Sequence, residues 1–91
     1  KENIVDCNHK ALDYIQQLQF KEYDWKKQED RPQQEHTKIG LIAQEVQEID
    51  PTLVYENGDT LNLDNLRLTT IALKAIQELS QRIETLERKI A

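Results

Sequence analysis

Few residues in this chain have a type and spacing that support chemistry on their own. Cys7-Asn8-His9 sets a thiol two residues from an imidazole, the groups that a cysteine nucleophile or the start of a metal site would use. Two ligands do not make a metal site, and Cys7 is the only cysteine, so no metal is expected and the thiol is read as buried or idle. Ser80 is the only serine, and no base is placed near it by sequence, so it reads as a solvated helix residue. His9 is expected within a first helix and His36 at a loop edge, both in surface or packing roles. There is neither a glycine-rich phosphate loop nor a paired acid/base constellation. A stand-alone enzyme acting on a small molecule is therefore disfavoured, and no cofactor is expected.

The chain offers little material for burying an active site. Its 91 residues are 37% hydrophobic and 32% charged, with five aromatic side chains. That is enough for one domain with a modest core, and oligomerisation would supply the missing burial. The formal charge is −5, and the basic residues are interleaved with acids rather than gathered into a stripe, so nucleic acid is not an expected partner. No apolar run approaches the ~20 residues that span a bilayer, and no signal-peptide core opens the chain, so no membrane partner is expected. Methionine is absent altogether, which reads as a fragment of something longer.

The elements that must position any site can be read in order. Ala11, Leu12, Ile15 and Leu18 recur at helical spacing and predict a short helix over about Asn8 to Gln19, capped by Asp6 or Asn8. Glu22 to Lys26 alternates as a half-buried strand with Tyr23 and Trp25 on one face. Residues 27–36 are polar with a proline and predict a mobile loop. Thr37 to Ala43 predicts a strand, and Ile42, Val46 and Ile49 form one face of a helix that Asp50-Pro51 ends. Two apolar runs flank Asn57-Gly58, the dipeptide suited to a type I′ hairpin turn. From Asp64, a capping residue, a helix runs to the C-terminus without Gly or Pro.

This last helix is the most informative element. Ile76, Leu79, Ile83, Leu86 and Ile90 are separated by 3, 4, 3 and 4 residues, and Thr69 with Ala72 extends the register upstream. Such a seven-residue apolar period, with polar residues around it, describes a coiled-coil seam. Arg82 then falls at g and Glu87 at the following e, positions that face each other across a parallel interface and favour in-register association. Leu66, Leu68, Ile71 and Leu73 widen the stripe near the helix start and predict packing on the chain's own globular part. Ile at a with Leu at d favours two strands in model dimers, though three heptads are too few for that preference to bind the whole domain.

At this point the chain resembles a known family, the C-terminal intramolecular chaperone domains of phage tail spikes, tail fibres and neck appendages typified by the endosialidases. The resemblance rests on Ile39-Gly40-Leu41-Ile42-Ala43-Gln44-Glu45-Val46, then Asp50-Pro51, the Leu53 to Leu63 hairpin, and Leu73-Lys74-Ala75-Ile76-Gln77-Glu78-Leu79 leading into the heptads. Its signature residues here are Gly40, Ala43, Gln44, Glu45 and Pro51. The implied fold class is α+β: a single domain over 1–91, with a small globular part (1–63) of a short helix, strands and a hairpin, then a helix (64–91) in a parallel trimeric coiled coil.

The resemblance implies that three copies form a homotrimer, assist folding of the fibrous parent segment on their N-terminal side, and are released by self-cleavage at a Ser/Lys dyad. In the family pattern Ser-Asp-x-x-x-Lys, Lys1 would be the dyad lysine and the nucleophilic serine would lie five residues upstream, which leaves this chain catalytically incomplete. A lysine acts as general base only when burial or a neighbouring cation lowers its pKa from ~10.4 toward neutrality, and Lys10 or Lys38 would be sources of such a field. His36 would be a further neighbour of the cleavage site, and an insertion such as 27–36 can reach toward the parent's stalk. The implied setting is the host cytoplasm during virion assembly, with the domain absent from the mature virion. The competing reading is a non-catalytic coiled-coil interaction module of a cytosolic regulatory protein, which an absent upstream serine would favour.

Overall fold

The computed structural model describes residues 1–26 and 36–90. The order of elements is α1 (Ala11–Gln17), β1 (Lys21–Tyr23), β2 (Thr37–Gly40), α2 (Ala43–Ile49), a 3₁₀ turn (Pro51–Leu53), β3 (Val54–Asn57), β4 (Thr60–Leu63) and α3 (Asn65–Ile90). The class is α+β, as expected, with a long C-terminal helix and two small antiparallel hairpins, of which only β3–β4 was expected as one. Of the loop expected at 27–36, residues 27–35 lie outside the described residues. Among the described residues no helix is long and apolar enough to cross a membrane.

The chain divides into two compact units, Gln17–Asn65 and Lys1–Gln16 with Leu66–Ala91. The Gln17–Asn65 unit contains both hairpins. The β1–β2 hairpin pairs Lys21 with Gly40 and Tyr23 with Thr37, with an irregularity between. The strand predicted through Lys26 ends at Tyr23, yet the Tyr23 and Trp25 rings do meet edge to face, 5.5 Å between centroids. Gly40 lies against the Tyr23 ring. A Cβ built at Gly40 would stand 2.8 Å from a Tyr23 ring carbon and 2.8 Å from the Thr37 methyl. The glycine is thus required by close approach. Gly40→Ala is expected to displace the ring and cost about 1–3 kcal/mol, the usual penalty for overpacking. Urea unfolding measures the loss, and a shift in Trp25 fluorescence reports the displaced neighbour.

Leu41 and Ile42 lead into α2, whose first turn is closed by the Glu45 and Val46 amides donating to the Ile42 carbonyl. Val46, 2% exposed, and Leu53, 3% exposed, form the centre of this unit. Asp50 ends α2 and starts the 3₁₀ turn: its carboxylate accepts from the Thr52 amide at 2.9 Å and the Thr52 hydroxyl at 2.8 Å, with Pro51 at the first position. The β3–β4 register pairs Asn57 with Thr60, so the two-residue turn is Gly58-Asp59, not Asn57-Gly58. Only Gly58 has positive φ (65°), the pattern of a type II′ turn rather than type I′. The hairpin was legible; its apex is one residue later because the cross-strand register, which the dipeptide does not encode, decides it.

In the other unit, α1 packs on α3, with Ala11, Leu12 and Ala75 buried and Ile15 and Ile71 half-buried around them. The predicted helix start at Asn8 is too early. His9 lies before α1 rather than in it, and neither Asp6 nor Asn8 stands at its first turn. Asp64 immediately precedes α3, as expected of a capping position.

Candidate assembly face and N-terminal anchor

Helix α3 carries two different faces. In the heptad register, Ile71 and Glu78 are at c, Lys74 at f and Ala75 at g, and these are the positions that meet α1 and the residues before it. The a and d residues point elsewhere and are exposed: Leu79 by 45%, Ile83 by 54%, Ile76 by 63% and Ile90 by 85%, with Leu86 and Thr69 exposed and Ala72 half-buried. Arg82 and Glu87 at g and e are exposed as well. Of the apolar residues expected to pack on the globular part, Ile71 does so against α1, whereas Leu66 and Leu73, both at e, are 78% and 62% exposed. They border the seam and widen it. Monomeric proteins rarely expose so continuous an apolar stripe unless it meets a partner.

The c and f positions build an anchor. The Glu78 carboxylate accepts from the Ala11 amide at 2.8 Å through Oε2 and from the Leu12 amide at 3.2 Å through Oε1. Lys74 Nζ donates to Glu78 Oε2 at 2.8 Å and to the His9 carbonyl at 2.7 Å. The first amides of α1 therefore have a cap supplied from α3, 66 and 67 residues away in sequence. This bonding holds the Glu78 carboxyl down at about 2. The Lys74 ammonium is the chief cause, followed by the Ala11 amide, with the Leu12 amide adding to it and partial desolvation opposing. A depressed carboxyl contributes stability that is present above its ordinary value of 4.5 and is lost as pH falls toward about 2.

A second polar cluster fastens the β1–β2 hairpin. His36, expected at a loop edge, stands just before β2 and bridges two acids: Nδ1 lies 2.6 Å from Asp24 Oδ1 and Nε2 lies 2.9 Å from Glu22 Oε1. Beside it, Trp25 Nε1 donates to the Thr37 hydroxyl at 2.9 Å. Both ring nitrogens donate only in the imidazolium, so Asp24 first and Glu22 second raise the His36 pKa above 6.5. The clasp therefore stabilises the hairpin fully below pH 6.5 and loosens as pH rises through the elevated value. Asp24→Asn is expected to lower the His36 midpoint more than Glu22→Gln does, as read by NMR titration of the ring protons.

Lys1 lies on an extended, exposed segment, residues 1–10, which turns at Asn3, where φ is 53°, a left-handed conformation that Asn tolerates. Cys7 is free and exposed rather than buried; its thiol lies 3.9 Å from the His9 carbonyl. Ser80, at e, is exposed. Gly40, Ala43 and Pro51 shape the hairpin, the start of α2 and the turn after it. Glu45 is half-buried and Gln44 exposed on α2. Among the described residues, no group of three or more His, Cys, Asp and Glu is arranged to hold a metal ion. Sequence reasoning missed Glu78 and Lys74 as an anchor. Their i, i+4 spacing was available, but their backbone targets are not coded by any local pattern.

Residues 1–55 match the family model described as chaperone of endosialidase. The chain is also 34% identical over 86 residues to a protein named "Probable tail fiber protein" of Escherichia phage Phieco32. The match covers 89% of this chain but 11% of that protein, so the chain spans only a small part of this relative's length. The residues Gly40, Ala43, Gln44, Glu45 and Pro51 fall within the matched span. On that match and that identity, the chain belongs to the chaperone of endosialidase family.

Proposed function

We propose that this chain is the trimerising intramolecular chaperone of a phage tail fibre, spike or appendage protein, and that self-cleavage at a Ser/Lys dyad releases it. The observation that carries the reading is the exposed a/d seam of α3, from Ile76 to Ile90, on a chain whose buried apolar residues are few among those described. Ala11, Leu12, Val46, Leu53 and Ala75 are the fully buried hydrophobic residues among those described, a core that leaves much apolar surface to be covered by association. Helix α1 takes the c, f and Ala75 g positions and leaves the a and d residues from Ile76 to Ile90 for identical helices in parallel register.

The function follows from the topology of the parent. Intertwined β-rich fibres require many nonlocal contacts, whose loop closure is slow and exposes strand edges. Joining three chain ends in a compact trimer makes registration of the neighbouring segments an intramolecular event at millimolar effective concentration. In the cleavage step the Lys1 amine takes the proton of a serine hydroxyl five residues upstream. The oxygen attacks the carbonyl of the bond before that serine, the proton passes to the leaving amine, and water hydrolyses the resulting ester. The domain acts in the host cytoplasm during assembly and is absent from the mature virion.

The test is the solution mass of this chain by light scattering across a dilution series. A concentration-stable mass of three chains is expected. A folded monomer at every concentration overturns the assembly reading, and a dimer overturns the trimer.

A further inference from the structure

We infer that Lys74 and Glu78 form a conditional cap, holding α1 and the backbone at His9 only while α3 is helical, so that order in the N-terminal segment follows association of α3. The inference rests on the assembly reading above and adds a positioning role for two residues outside the seam.

Helix α1 cannot be stable alone. It has seven residues, and isolated helices shorter than about 12–15 are marginal in water. The side chain just before it also gives no cap. The residue before it is Lys10, whose side chain has donors and no acceptor, so it cannot satisfy the first amides. Those of Ala11 and Leu12 go to the two oxygens of one carboxylate on α3. The apolar contact beneath is small, since two of its three buried members are alanines. Three backbone groups at residues 9, 11 and 12 are thus tied to a single turn of α3 by four hydrogen bonds counted with the Lys74–Glu78 bond itself.

That turn exists only in the helix. Lys74 and Glu78 are neighbours because residues four apart stack on one face, and unwinding α3 separates them. With its seam exposed in the single chain, α3 lacks the packing that supplies most helical stability, and association of the seam would provide it. Assembly therefore completes the cap, and the cap orders the segment that leads back to Lys1.

The experiment pairs solution mass with amide exchange at Ala11 and Leu12 on the same samples, for wild type, Ile83→Asp and Glu78→Gln. Protection of both amides is expected to be high in the wild-type assembly and to fall about tenfold or more in Ile83→Asp. In Glu78→Gln a similar fall is expected while the mass stays that of the wild type. An assembled Glu78→Gln with wild-type protection overturns the cap. A monomeric Ile83→Asp with wild-type protection overturns the coupling while leaving the assembly reading intact. A wild type monomeric at every concentration overturns both. Should Glu78→Gln fail to fold, Lys74→Gln decides. The Ala11 and Leu12 amide shifts are expected to titrate together in the wild type, with a midpoint well below the ordinary carboxylate range. That midpoint is expected to move up toward the ordinary carboxylate range in Lys74→Gln, and one that does not move overturns the role of Lys74.

Discussion

Ile83→Asp is expected to convert the assembled chain to monomers over the whole micromolar range, with the Gln17–Asn65 unit of each copy still folded. Ile83 is at the middle a position, 54% exposed in the single chain, so the substitution removes no intrachain core contact. In a three-stranded seam it removes burial worth about 2 kcal/mol per copy, or roughly 6 kcal/mol per trimer, equivalent to about four powers of ten in association constant. The carboxylates would also be desolvated beside one another, which adds to the cost. Gln81→Asp, two residues earlier at f, is the control: the same charge is introduced on the outward face and the mass is expected to stay that of the wild type. Light scattering reads both. If Ile83→Asp assembles as the wild type does, the a/d seam is not the interface.

What the sequence made legible follows from the range of each interaction. The heptad of α3 is periodic and local, so both the helix and its exposed stripe could be read from spacing alone. The β3–β4 hairpin was marked by its apolar flanks, but its turn moved to Gly58-Asp59 because pairing across the strands set the register. The start of α1 was misplaced for a different reason. Asp6 and Asn8 are sound capping residues, and the actual cap is a glutamate more than sixty residues later, which no window along the chain can include. His36 stands at a loop edge as read, but its partners, Asp24 and Glu22, lie across an intervening polar stretch and are not coded locally. Gly40 was visible as a signature residue. Its cause, the Tyr23 ring lying where a Cβ would be, needed the strand pairing to be known.

In a longer form of this chain that restores a serine five residues before Lys1, Lys1→Gln is expected to slow self-cleavage by about 10² to 10⁴, the contribution of a positioned base. The side chain of Lys1 is exposed in the single chain, on a segment anchored no nearer than His9. An exposed ammonium is a poor base, so burial or a neighbouring cation must lower its proton affinity before it can act. On the proposed reading that environment comes from assembly. Two consequences separate a chemical role from a structural one. Lys1→Gln should keep the wild-type mass while losing cleavage, because residue 1 touches neither the seam nor the α1 anchor. Lys1→Arg, which keeps the charge but does not give up its proton, should lose cleavage as Lys1→Gln does. Cleavage is followed by gel mobility and by the mass of the released domain. Wild-type speed in Lys1→Gln would remove Lys1 from the reaction, and no cleavage in an assembled chain that bears the serine would leave the trimer as a clamp without a release step.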